Sequence, residues 1–123
     1  MNELGKILKD KVVIDSHLHM GFLSSLNIPG ASDNNIISLL KKYGVKKAIV
    51  SHHADLATPY YGKELLFQSL EKFPDFLYGL LVFNPNFAES CLESIKKNYQ
   101  RRQIVGIKIH PFWHLCYPAD PRY

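Results

Sequence analysis

Apolar blocks alternate with polar punctuation along this chain, and the spacing predicts four strands separated by helices. The first block, Val12-Val13-Ile14, is β-branched and predicts a buried strand to about Ser16. Val45 to Ser51, Phe76 to Phe83 and Ile104 to Ile109 repeat the pattern. Between the first two strands, Ile36, Ile37, Leu39, Leu40 and Tyr43 form an apolar helical face, with Ser32 or Asp33 as N-cap and Gly44 as terminator. A second helix is expected from about Tyr60 to Phe73, burying Leu65, Leu66, Phe67 and Leu70 and stopped by Pro74-Asp75. A third runs from Phe87 to about Gln100, with Cys91, Leu92 and Ile95 inward. Ahead of the first strand, Asn2 to about Lys9 could make a short helix. Gly21 to Ala31, containing Pro29-Gly30, is predicted as a loop whose Phe22, Leu23, Leu26 and Ile28 either wall a substrate or pack the loop down. Strand and helix in regular alternation mean successive βαβ units, hence parallel pairing with right-handed crossovers. The expected fold is α/β, with residues 1–123 forming one domain of roughly four parallel (β/α) units.

Composition narrows the function classes. Among 123 residues, 46% are hydrophobic and 21% charged, which argues against disorder. No apolar run approaches a membrane span, and the N-terminus lacks the apolar core of a secretory signal, so a cytoplasmic location and no membrane partner are expected. The net charge of +4 is spread over separate pairs such as Lys41-Lys42 and Arg101-Arg102. That is no basic patch, and no nucleic-acid partner is expected. Cys91 and Cys116 have no metal-knuckle spacing and read as free thiols.

The candidate chemistry sits where the first strand runs out. Asp15, His17 and His19 alternate with Ser16 and Leu18, so an unbroken strand would project all three to one face. Two imidazoles attached about 7 Å apart can converge on one divalent ion at about 2.0–2.1 Å from each nitrogen. The bland alternative is a chance His-x-His of ordinary polar residues. In the fourth strand, alternation sets Gly106, Lys108 and His110 on one face and Ile107 and Ile109 on the helix-facing side. A lysine pointing inward needs a partner or a chemical change. His52-His53 is a weaker signal, because only one of two neighbours can face the interior. Asn84-Pro85-Asn86 favours a turn and N-cap over a substrate contact. The aromatic tail from Phe112 to Pro118 either binds an organic group or covers the core.

Asp15-x-His17-x-His19 after a β-branched strand resembles the first-strand signature of the amidohydrolase superfamily, in particular the amidohydrolase-related metal-dependent hydrolases built on a (β/α)₈ TIM barrel. Gly106-Ile107-Lys108-Ile109-His110-Pro111 is similar to the fourth-strand segment of the same family. The resemblance implies that His17 and His19 are metal ligands, that the ion is divalent, most often zinc with manganese as the alternative, and that the substrate is a small molecule. It implies that Asp15 orients a histidine, and that Lys108 and His110 are the catalytic candidates. Lys108 matches a lysine that parts of the superfamily carboxylate; the alternative is an ordinary lysine in a salt bridge or on the substrate. The implied reaction is hydrolysis of a C–N or C–O bond by activated water, with metal-dependent decarboxylation or a catalytically inactive chain as alternatives. A full barrel needs about 250 residues. The expectation is therefore the N-terminal half of a (β/α)₈ barrel in a longer enzyme, lacking the later ligands and general base. Open sheet edges in such a half invite pairing with another chain, including a second copy.

Overall fold

A computed structural model describes residues 6–7, 10–22, 32–57 and 61–123. Four strands form one all-parallel sheet in the order β1-β2-β3-β4: β1 Val13–Met20, β2 Val45–His52, β3 Leu77–Val82 and β4 Ile104–Lys108. The helices lie between them in sequence: α1 Asp33–Lys42, α2 His53–Ala57, α3 Tyr61–Lys72 and α4 Ala88–Asn98, with α5 Pro111–His114 after β4. Among the described residues no helix is long and apolar enough to cross a membrane. Of the predicted N-terminal helix, Lys6 and Ile7 are helical and the rest lies outside the described residues, as do positions 23–31 of the predicted loop.

Local chemistry sets the ends of α1 and the entry to α4. Ser32 caps α1 by accepting the Asn35 N–H, and the chain leaves that helix through Gly44 at φ +85°. Asn84 accepts the Asn86 N–H at 3.0 Å and opens a 3₁₀ turn, Pro85–Phe87, that leads into α4. This is the turn reading of Asn-Pro-Asn. The core lies between the helices and one face of the sheet, where Met20, Ile37, Ala48, Val50, Leu66, Leu70, Leu77 and Leu81 pack together. Ile107 pairs with the core residue Leu81 and so lies on the helix side of the sheet, as predicted, yet on this outermost strand it is 55% exposed and Ile109 39%.

Two differences from the predicted elements position the site. The first is that β1 does not end near Ser16. Its ladder with β2 continues through Leu18↔Val50, His19↔Ser51 and Met20↔His52, so both histidines are strand residues. The second is an irregularity inside that ladder. Asp15 pairs with Ala48 and Leu18 with Val50, so three steps along β1 match two along β2. One extra residue shifts the phase of the strand there. By this register Asp15 shares a face with the buried Ala48 and not with His19, whose partner is Ser51.

Candidate functional site at the carboxyl edge of the sheet

The carboxyl ends of β1, β2 and β4 bring five nitrogen-bearing side chains together. His17 Nε2 lies 2.9 Å from His19 Nε2, and Lys108 Nζ lies 3.1 Å from His17 Nε2. His17 and His19 come from β1 and Lys108 from the last position of β4. The sheet therefore joins its two outermost strands through their side chains. Behind this trio, Ser51 Oγ on β2 is 3.1 Å from His19 Nδ1. His53, the first residue of α2, stacks on His19 with ring centroids 4.8 Å apart and planes 10° from parallel. A carbonyl oxygen only accepts, so His53 holds its place by donating from Nδ1 to the Gly21 oxygen at 2.9 Å.

His110 completes the group at the start of α5. Its Nδ1 accepts the Trp113 N–H at 3.3 Å, which leaves the neutral ring with its proton on Nε2. Asp15 works on the backbone: its Oδ1 accepts the His17 N–H at 3.0 Å, across the phase shift in β1. His52 points away from the cluster. It is buried on the helix-covered side, and its Nδ1 accepts the Ala54 N–H at 3.2 Å. Of the paired histidines, then, His53 joins the site and His52 joins the packing.

Burial and neighbouring charge disfavour protonation of His19, Lys108 and His110. Burial pushes His19 down from 6.5 to about 4, with His53, Lys108, His17 and His110 each adding repulsion. Burial likewise lowers Lys108 and is the largest cause for His110, whose neighbours Lys108, His17 and His53 act in the same direction. Neutral nitrogens with lone pairs are what a cation requires.

The donor set fits a divalent ion in part. Two nitrogens each about 2.1 Å from one tetrahedral ion stand about 3.4 Å apart, against the 2.9 Å between the two Nε2 atoms. Among the described residues no group of three His, Cys, Asp or Glu side chains is disposed to hold a metal. An imidazole pair alone falls short of the three protein ligands that a catalytic zinc site uses. Sequence reasoning passed over Ser51 and gave His53 little weight. The signal for both was the register of β2 against β1, which residue types alone do not carry.

The fold and this edge define an α/β protein with a parallel sheet and a cluster of histidines and one lysine where its strands end. No family model, no curated protein and no solved structure matches the chain.

Proposed function

We propose that this chain carries the metal platform of an amidohydrolase-type, metal-dependent hydrolase, built on the first four (β/α) units of a TIM barrel. The observation that carries the reading is the meeting of His17, His19 and Lys108 within 3.1 Å. Parallel neighbours lie about 4.8 Å apart, so three steps across a flat sheet would separate β1 and β4 by about 14 Å. Side chains standing perpendicular to a flat sheet do not close such a gap. A sheet curled like a barrel wall, with these residues on its concave face, would close it. Ligands in α/β folds bind beyond the carboxyl ends of the strands, where this cluster lies.

His17 and His19 would hold zinc or manganese through Nε2, and the reading requires at least one further ligand beside them. Once bound, such an ion polarises a scissile carbonyl and lowers the pKa of water toward neutrality. The chain's own residues do the rest. His110, with its proton on Nε2, is set to donate to an oxygen that gains charge as a C–N or C–O bond is attacked. Lys108, with its charge disfavoured by burial, is set either to hydrogen-bond the substrate or to add carbon dioxide at Nζ with loss of a proton. Gly21 and Phe22 follow the end of β1 directly.

Elemental analysis of the purified chain, loaded with zinc or manganese and beside a His17→Ala/His19→Ala variant, tests this. Near-stoichiometric metal that disappears in the variant is expected. Equal, negligible metal in both refutes the reading.

A further inference from the structure

We propose that Ser51 is a positioning residue that sets the ring tautomer of His19, donating to Nδ1 while the site is empty of metal and accepting from it when a divalent ion is bound. The inference rests on the metal reading above and deepens it. As an ammonium Lys108 has no lone pair, so its Nζ donates to His17 Nε2 at 3.1 Å and that nitrogen presents a lone pair. His19 Nε2 stands 2.9 Å from the same atom. Two lone pairs facing each other at that distance repel, so in the absence of a cation His19 must offer N–H there. A neutral imidazole has one such proton. Its Nδ1 is then an acceptor, and the Ser51 hydroxyl 3.1 Å away is the donor.

A bound cation inverts the arrangement. Both Nε2 lone pairs now turn to the ion, so the His19 proton leaves Nε2 and one is taken up from solvent at Nδ1, with no net release from this ring. Nδ1 becomes a donor and needs an acceptor. A hydroxyl serves in either sense by rotating about its C–O bond, which neither a carboxylate nor an amide N–H can do. Ser51 is also held without slack. It is 2% exposed and is the direct ladder partner of His19, so its distance to the ring is fixed by the β1–β2 pairing. Partners of this kind behind metal-bound histidines fix tautomer and ring orientation, and their removal typically weakens metal binding roughly 10- to 100-fold.

The test compares the full chain with Ser51→Ala and Ser51→Thr. Zinc affinity is measured by competition with a chromophoric chelator. The His19 tautomer is read from long-range ¹⁵N–¹H NMR correlations, with and without zinc, and assigned by their loss in His19→Gln. In the wild type the proton is expected on Nε2 without zinc and on Nδ1 with it. Ser51→Ala is expected to bind zinc roughly 10- to 100-fold more weakly and to show mixed tautomers, while Ser51→Thr, which keeps the hydroxyl, restores a single tautomer and most of the affinity. A wild-type ring already protonated on Nδ1 without zinc overturns the proposal. So does zinc binding by Ser51→Ala equal to the wild type. Failure of the wild type to take up zinc at all is a different outcome: it removes the metal reading and this inference with it. Should Ser51→Ala not fold, the wild-type tautomer exchange and the Ser51→Thr affinity still decide.

Discussion

Asp55 offers a stability measurement whose sign is fixed by the structure. It lies in α2, is fully buried, and its Oδ1 faces Lys63 Nζ at 3.4 Å while Oδ2 accepts the Val82 N–H at 3.4 Å. Burial raises its pKa from 3.8 to about 6, and Lys63 and the Val82 N–H only partly offset this. A carboxyl with a raised folded-state pKa favours the protonated form in the native protein. Between pH 3.8 and about 6 the native state therefore holds more proton than the unfolded chain, and stability falls as pH rises through that window. At about 1.4 kcal/mol per pH unit the full effect is about 3 kcal/mol, complete above pH 6. His19 acts in the opposite direction over an overlapping range. Its folded-state pKa is lowered to about 4, so its contribution is lost as pH falls from 6.5. Its partial exposure reduces that loss to about 1–2 kcal/mol. The two oppose each other in the raw profile, so the informative quantity is a difference between variants. Asp55→Asn keeps the shape and an acceptor oxygen but does not titrate. Urea unfolding of both proteins, followed by Trp113 fluorescence from pH 4 to 7.5, is expected to show the wild type losing about 2.5 kcal/mol relative to the variant as pH rises. Groups common to both cancel. A difference that stays flat across this range would refute the reasoning, because it would mean that Lys63 holds Asp55 at its ordinary value.

Two further outcomes are expected. Gly21 and Gly44 share φ +85°, but a Cβ at Gly21 would run into the His52 ring, whereas a Cβ at Gly44 meets nothing within 4 Å. Gly44→Ala should cost about 1 kcal/mol for its backbone alone, and Gly21→Ala at least about 1–3 kcal/mol more through crowding, read as a difference in urea midpoint; equal losses would refute the crowding. At Asp15, Asn keeps the Oδ1 that accepts the His17 N–H and Ala removes it. Asp15→Asn should therefore bind zinc as the wild type does while Asp15→Ala binds more weakly, and a loss in Asp15→Asn equal to that in Asp15→Ala would mean that the carboxylate charge itself is needed.

Much of the fold was legible because its punctuation is chemical. Ser32 and Gly44 bracket α1, Pro74-Asp75 stops the chain after α3, and Asn84 starts the turn into α4. The elements that were not legible are short. α2 has five residues and α5 four, and neither holds enough positions to show a 3.6-residue period. The end of β1 was misjudged for another reason. Its residues from Ser16 onward are mostly polar, and polarity there reports on the open face of the sheet and not on loss of strand pairing, which β2 sustains to Met20.

The site was legible as residue types and not as phase. Strict alternation puts Asp15 beside His17 and His19, yet one extra residue in β1 removes it from their face. What alternation cannot show is why that irregularity persists. A bulge leaves a backbone N–H turned away from its ladder partner, and such a group needs an acceptor. Asp15 supplies one, taking the His17 N–H at 3.0 Å. The carboxylate in Asp-x-His-x-His thus acts from behind the chemistry, by fixing the backbone from which His17 projects. Its effect on the imidazole pair runs through the peptide and not through the ring. For that reason an amide at position 15 should serve as well as an acid.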